Sequence, residues 1–392
     1  MRTQSKERSW DSFETHQTDE SRLLEEVEIQ DNNTEWVEGL NAKDFHLTEI
    51  DSPIFAGDIA EQYGLDEDAL IDICEEGGTQ LIAHNLEHSW PVASTAISTL
   101  GETAKLYGAA LGRMLPADRA TVYSCGLAVA RGKSILPIRY GRVAAFHSDG
   151  YLPMKSSTLL DETRNTIVNK FGEPLFLEGT VRHDFVRAMW ELPEVTEELM
   201  RKYKKALNGV ETIYDLDKMV PSLRFSTSDT ATSAATLQPE FRMHQGSNAF
   251  VRLTNGISVR HERKGSDTLQ GIDLYKVLIE EVYSKFDESI EAISALSKIP
   301  VFNGANCVVS LCKRYNISRR YGDVARQEIE DFQAAGMHIT AHDIYLSLSN
   351  AIGDARYVGV TAKVIETLEE NVARILKAKW EDHDVGGVVA WD

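Results

Sequence analysis

The spacing of apolar residues predicts helices toward both ends of the chain. The segments ESRLLEEVEIQ, DEDALIDICEEGG and SSTLLDETRNTIVNKFG carry apolar positions at helical spacing, and the last two end at glycine. LPEVTEELMRKYKKALNG has a proline near its start and a glycine at its end, as capped helices do. An amphipathic run over 271–298 predicts a long helix, and the final run TAKVIETLEENVARILKAKWED is also periodic.

Strand-like patterns lie between these helical regions. From about residue 118, ATVYSCGLAVARGKSILPIRYGRVAAF alternates short β-prone runs with glycine breaks, so we interpret it as strands. Three further runs, Leu223–Ser228, Ala235–Met243 and Phe250–His261, read as strands as well. The pattern predicts an α+β fold, with a central, mostly antiparallel sheet flanked by helices and with helical N-terminal and C-terminal regions.

The segment FVRLTNGISVRH predicts a β-hairpin, because Asn255-Gly256 separates two alternating runs. A two-residue turn would put the apolar residues of one strand on the polar face of the other. A three-residue, bulged loop repairs this mismatch, and we therefore prefer it. In that register Arg252 stands directly opposite Arg260.

The composition predicts three regions. Residues 1–40 carry eleven acidic against four basic residues, so we expect a disordered acidic arm. Residues 41–115 read as a mainly helical region. Residues 116–392 form the predicted α+β domain.

The net charge of −20 argues against non-specific coating of nucleic acid, although a local basic site stays compatible with it. The acidity fits either adaptation to the environment or a surface for a protein partner. Apolar stretches fall well short of the roughly 18 residues of a membrane span, and the first twenty residues lack the apolar centre of a secretory signal. Four cysteines without a CxxC motif fit a reducing cytoplasm with buried thiols.

Motifs for common enzyme chemistry are absent from the sequence. It contains no GxxxxGK[ST], no strand-bound GxGxxG and no GxSxG, so we expect no cofactor and lean against an enzyme. The hydroxyl-rich STSDTATSAAT is interpreted as a polar turn at the edge of a strand.

One short pattern could hold a metal ion. His84, Glu87 and His88 match the His-x-x-Glu-His pattern of inverted zincins, which places two imidazoles at i and i+4 on a helix. Such a short pattern often occurs by chance, and a pair of helix histidines that bind nothing is the more common outcome.

Basic residues predict a first candidate site on one sheet face. If the middle strands pair, their alternation gathers four arginines among hydroxyl groups, as in a groove for a phosphate backbone. These are Arg224, Arg242, Arg252 and Arg260.

A second candidate lies in CKRYNISRRYG, where basic and aromatic residues alternate without an acid, as suits single-stranded nucleic acid. Its members are Lys313, Arg314, Tyr315, Arg319, Arg320 and Tyr321. For either set alone, a solvated surface paired with nearby acids is the simpler interpretation.

The order of segments over about 120–380 resembles the phage- and plasmid-like family of domains of unknown function. The segments that carry it are RYGRVAAF, LRFSTSDTATSAATLQPEFR, RLTNGISVRHERKG and TAHDIYLSLSNAIGDAR. The chain departs from the family pattern at Ala231, where glycine is expected, and at Leu253-Thr254, where a cysteine often precedes Asn-Gly. The resemblance implies a mobile-element setting of replication or recombination, and it implies no established activity or catalytic residues.

The leading hypothesis is a non-enzymatic phage or mobile-element protein that binds nucleic acid, with single-stranded DNA favoured, in the host cytoplasm. The alternative is a virion structural or host-factor interaction protein that acts through its acidic surface. A metal-dependent hydrolase at His84, Glu87 and His88 is the third hypothesis. A homo-oligomer, and the choice between DNA and RNA, stay open.

Overall fold

The computed structural model of the chain describes residues 8–244, 249–252, 256–264, 269–355, 360 and 362–391. Its strands are β1 (Glu14–Gln17), β2 (Thr34–Asn41), β3 (His46–Glu49), β4 (Leu81–His84), β5 (Ser89–Pro91), β6 (Lys133–Arg139), β7 (Arg142–Val143), β8 (His147–Ser148), β9 (Leu175–Arg182), β10 (Phe185–Glu191), β11 (Met219–Thr227), β12 (Ala235–Met243), β13 (Phe250–Arg252) and β14 (Ile257–Val259).

Its helices are α1 (Glu20–Asn32), α2 (Ala56–Tyr63), α3 (Glu67–Glu76), α4 (Ala96–Ala104), α5 (Pro116–Ala128), α6 (Ser156–Phe171), α7 (Thr196–Leu207), α8 (Gly271–Ile279), α9 (Val282–Ala295), α10 (Gly304–Arg314), α11 (Arg319–Ala334), α12 (Ala341–Gly353) and α13 (Ala362–Ile375). Among these described helices, none combines the length and the apolar character needed to cross a membrane.

The strands form three antiparallel sheets, which confirms the α+β class. The largest follows the order β1-β9-β10-β11-β12-β13, with β14 also paired to β12. A second sheet joins β2, β6 and β7, with β8 beside β6, and a third joins β3, β4 and β5. Helices α1, α7 and α9 pack on one face of the large sheet, where Leu23, Tyr203 and Phe286 contribute to its core.

The predicted hairpin is wrong, because β13 and β14 both pair with β12. Arg252 faces Glu240 in one pairing, and Val259 faces Ala235 in the other, so both strands run antiparallel to β12. The segment is therefore one interrupted strand along the edge of β12. Residues 253–255, which include Asn255 of the predicted Asn255-Gly256 turn, lie outside the described residues, and Gly256 is described.

The prediction of a disordered arm over 1–40 is wrong from residue 14 onward. β1 pairs with β9 at the edge of the large sheet, and β2 pairs with β6 in the second sheet. Between them, α1 is capped by Asp19 and buries Leu23 completely. Glu25, Glu28, Glu35 and Glu38 are exposed, whereas Glu20 and Asp31 are partly buried and accept hydrogen bonds from Trp190 and Ser157.

The predicted boundary near residue 115 does not separate two cores. Phe45 and Leu81 share a hydrophobic cluster with Tyr123 and Leu136, so the core continues across that position. The first region contains the third sheet besides its helices and is less helical than expected. Residues 116–128 form a helix where strands were predicted, and the predicted helix over 271–298 is divided into α8 and α9.

The thiols are only partly buried. Cys307 and Cys312 are buried as expected, and burial raises the pKa of each to about 12. Cys125 is exposed, and Cys74 is intermediate.

Candidate ligand-binding cleft

Arg224 does not lie on an open phosphate-binding face. Its guanidinium contacts Glu240 of β12 at 2.9 Å and also pairs with Glu369 of α13. Only 1% of the Arg224 side chain is exposed. Helix α13 covers this face of the sheet, so Arg224 holds elements together and cannot meet a phosphate group.

Arg242 and Arg252 are likewise paired with acids. Arg242 contacts Glu191 of β10 at 2.8 Å, and Arg252 contacts Glu370 of α13 at 3.3 Å. The side chain of Arg252 is 12% exposed. The predicted apposition of Arg252 and Arg260 is absent, because the two residues follow one another along the same edge of β12.

Arg260 differs from the other three arginines. It follows β14, its side chain is 80% exposed, and its contact with Glu262 is a loose 3.4 Å. It lines a cavity of about 1050 Å³.

The second predicted set lies at the end of α10 and the start of α11. Its members are Lys313, Arg314, Tyr315, Arg319, Arg320 and Tyr321. The basic members are exposed, but Tyr321 is buried and Tyr315 packs partly into the main core. Trp391 donates a hydrogen bond to Asp323 at 2.8 Å, and Arg319 pairs with the same carboxylate at 3.1 Å. The tyrosines therefore do not form an open stacking platform.

The candidate metal residues do not share a helix face. His84 ends β4 and makes a 2.9 Å hydrogen bond with Thr48, whereas Glu87 and His88 lie in and after the turn to β5. The ring of His88 stacks on Trp90 with centroids 4.8 Å apart. Within the described ranges, no group of three or more His, Cys, Asp or Glu residues is placed to hold a metal ion.

A cleft of about 1050 Å³ opens between the second sheet and the edge of the large one. Its walls come from α4, the loop before β6, β8, the turn between β11 and β12, and the segment after β14. Five basic side chains line it against two acidic ones. The basic residues are Lys105, Arg131, Lys133, Arg260 and Arg263.

Three of these cations have no carboxylate at ion-pair distance among the described residues. They are Lys105, Arg131 and Lys133, and all three are exposed. Arg263 contacts Glu38 at 2.9 Å but keeps 41% of its side chain exposed. We call Lys105, Arg131, Lys133, Arg260 and Arg263 the rim of the cleft. The rim is positively charged although the chain as a whole is acidic.

Aromatic rings stack at the floor of the cleft. Segment 150–152 pairs with segment 261–263 and brings Tyr151 beside His261, with parallel rings 5.2 Å apart. His147 stacks on Tyr151 at 3.7 Å, and Trp36 packs against both rings. We call Trp36, His147, Tyr151 and His261 the ring tier.

A buried polar cluster supports the ring tier. Asp229 pairs with Arg139, and its backbone oxygen accepts a 2.8 Å hydrogen bond from His147. Burial lowers the pKa of His147, and it lowers the pKa of His183 and His261 to about 4. These histidines are therefore neutral at pH 7, and the positive charge of the cleft comes from its rim.

The hydroxyl-rich turn is confirmed between β11 and β12, and it closes one wall of the cleft. The side chain of Ser228 accepts hydrogen bonds from the backbone of Thr230 and Thr232 at 3.2 and 3.3 Å. Thr232 in turn donates to the backbone oxygen of Asp184 at 2.6 Å. Ala231 and Ser233 both line the cleft.

Of the predicted residues, only Arg260 belongs to this cleft. The other lining residues come from segments that were interpreted as strands, helices or a polar turn and were given no function. A usable signal was the local charge of residues 116–142, which hold five basic residues and one acidic residue in a chain of net charge −20. The ring tier carries no local signal, because its members come from residues 36, 147, 151 and 261.

Comparisons with protein-family models, with curated proteins and with solved structures give no significant match to this chain. Neither a family nor a relative therefore assigns a role to the cleft.

Proposed function

We propose that the chain binds single-stranded nucleic acid and that the cleft, not the predicted arginine face, holds it. The observation that carries the proposal is the basic rim above a floor of aromatic rings. Cations that pair with phosphates and rings that stack on bases are the two components of single-strand binding sites. A duplex needs a broad basic surface, and a net charge of −20 does not favour one.

The net charge of −20 is compatible with this proposal. At physiological salt the Debye length is about 8 Å, so exposed acids beyond that distance repel a bound phosphate only weakly. The rim cations act at contact distance. Lys105, Arg131 and Lys133 are exposed and not paired with a described carboxylate, and Arg131 and Lys133 lie two residues apart in one segment.

The resemblance to phage- and plasmid-like proteins supports a setting for this binding. Single strands arise during replication and recombination, and a mobile element needs proteins that hold them. The proposed role is therefore support of such a reaction by binding, with no chemical step assigned to the chain.

The test is the double substitution Arg131→Ala and Lys133→Ala, measured by fluorescence anisotropy with a single-stranded oligonucleotide. If all five rim cations contact phosphates, the logarithm of the binding constant should fall with log salt at a slope of about −3.5. The double variant should bind at least about tenfold more weakly, with a slope nearer −2.

Lys377→Ala with Lys379→Ala is the matched control. These lysines have the same spacing, are exposed and do not line the cleft. The control should bind like the wild type. Equal affinity of the rim variant and the wild type would overturn the assignment of the cleft, and absence of any binding at 50 mM salt would overturn the proposed function.

A further inference from the structure

The ring tier has polar atoms that the fold leaves without a partner. The hydroxyl oxygen of Tyr151 and Nδ1 of His261 are buried and have no hydrogen-bond partner among the described residues. Tyr151 is 8% exposed and His261 is 7% exposed, and both residues line the cleft. A buried polar atom without a partner is unfavourable, so a group that supplies one is attracted to this place.

The tier is also an uncharged aromatic surface. His147, Tyr151 and His261 lie within 13° of parallel in successive stacked pairs. Because burial keeps the histidines neutral, the tier does not add a positive charge that a phosphate would seek. Phosphates are attracted to the rim above the tier, and the tier itself is suited to the flat, polar ring of a ligand.

The phenol hydroxyl of Tyr151 has no hydrogen bond to a described residue that would fix its position, and the ring is stacked between its neighbours. Stacking restrains the plane of a ring more than its position within that plane, so the phenol can shift toward a ligand that packs beside it. The neighbouring turn offers further hydroxyl groups, since Thr232 and Ser233 line the same cleft.

We propose that the ring tier is a subsite for one nucleobase, which packs against the tier and gives its polar edge to Tyr151 and His261. This inference rests on the proposed function. To the phosphate contacts and ring stacking of that function it adds hydrogen bonds to the polar edge of one base, which other polyanions do not offer.

The experiment compares the wild type with Tyr151→Phe, which keeps the ring and removes the hydroxyl group. The probes are single-stranded oligonucleotides of dA, dC or dT and an abasic oligonucleotide of the same length, all with equal numbers of phosphates. Thermal unfolding is measured on the same samples. The wild type should bind at least one homopolymer about tenfold or more above the abasic chain, as one stacked base implies.

Tyr151→Phe should bind that homopolymer about threefold to tenfold more weakly, bind the abasic chain unchanged, and unfold at the same or a higher temperature, because no protein hydrogen bond is lost. Tyr275→Phe is the matched control. The hydroxyl of Tyr275 is fully buried and bonded to Thr163 at 2.6 Å, so this variant should lose stability and keep its binding.

The outcomes separate the two proposals. If the wild type binds the abasic chain as tightly as every homopolymer, the base subsite is overturned and the cleft assignment still stands. This comparison uses the wild type alone. A less stable Tyr151→Phe protein with unchanged binding would also overturn the base subsite, since buried water would then satisfy the hydroxyl. No binding of any oligonucleotide by the wild type would overturn the proposed function itself.

Discussion

At the scale of single residues, Ala231 adopts a backbone conformation that suits glycine. Its φ is +61°, in the left-handed region, where a residue with a Cβ costs about 1–2 kcal/mol. The hydrogen bonds from Thr230 and Thr232 to Ser228 hold the turn in this shape. The glycine that the family resemblance leads us to expect at this position thus has a physical reason.

Ala231→Gly should therefore stabilise the protein. Relief of the left-handed strain outweighs the larger entropy of the unfolded chain, and we expect a gain of about 0.5–1 kcal/mol in the free energy of unfolding. Urea denaturation measures it. Ala235→Gly in the following strand is the control and should lose at least about 0.5 kcal/mol. A loss of stability in Ala231→Gly would contradict the strain.

The motif Asn-Gly correctly indicates that Gly256 has a structural role, but that role is not the predicted turn. A Cβ at this position would lie 2.3 Å from the side-chain oxygen of Gln238 and 3.1 Å from the backbone oxygen of Leu237. The glycine permits a close approach to β12. Asn-Gly is typical of a hairpin turn, and the sequence alone could not reveal that the next strand continues along the same neighbour.

At the scale of elements, the alternation within β11 predicted the two faces of the strand correctly. Leu223 and Phe225 lie in the main core, and Arg224 lies on the opposite face. The prediction was wrong about the exposure of Arg224, which was expected on an open face and is buried. Glu369, which pairs with Arg224, is 145 residues further along the chain, and no local pattern indicates that α13 covers this face.

The Arg224→Ala variant should have a lower free energy of unfolding than the wild type, and its cleft should be unchanged. It leaves buried Glu240 and Glu369 without their shared cation, and removing one partner of a buried ion pair costs about 3–5 kcal/mol. Arg260→Ala should change stability by less than about 0.5 kcal/mol, because the side chain is exposed, yet weaken oligonucleotide binding.

Denaturant unfolding and anisotropy on both variants check this pair. Weaker binding by folded Arg224→Ala at a temperature well below its unfolding transition would restore the arginine face as a binding surface. If the Arg260→Ala variant binds the oligonucleotide as tightly as the wild type, Arg260 does not contribute to binding in the cleft.

At the scale of the whole molecule, the sequence predicted two sets of nucleic-acid-binding residues, and of these only Arg260 lines the cleft. Charge is unevenly distributed: residues 41–115 hold thirteen acidic and three basic residues, whereas residues 116–142 have an excess of basic ones. Bulk charge could not reveal that Arg131 and Arg260 line one cleft, because that arrangement depends on how the second sheet packs beside the large one.

Stability should fall as the pH is lowered from 7 to 5.5. Burial holds the pKa of His183 and His261 near 4 in the folded state, and Arg139 and Arg142 lower that of His183 further. The unfolded chain binds protons from about pH 6.5 downward, so it binds more protons than the folded chain in this range. The loss is about 1 kcal/mol for each histidine over this interval.

Urea denaturation at pH 7, 6.2 and 5.5 measures this dependence. Asp229 and Asp184 oppose the lowering of these pKa values but do not outweigh burial. His261→Gln should remove about half of the slope that the two histidines contribute. A flat stability profile over this interval would contradict the neutral, buried state of both histidines.

The position of β1 at the edge of the large sheet has a consequence for synthesis on the ribosome. His16 of β1 contacts Thr180 of β9, and 164 residues separate them. At about 5–20 residues per second, β1 emerges roughly 8–30 s before its partner strand exists. During that interval α1, a helix of 13 residues, is at most marginally stable, and Leu23 and β1 lack the β9 residues against which they lie in the folded protein. Until β9 is synthesised, β1 and Leu23 of the nascent chain are therefore unpaired and exposed. A chaperone or the ribosome surface would have to shield them during this period.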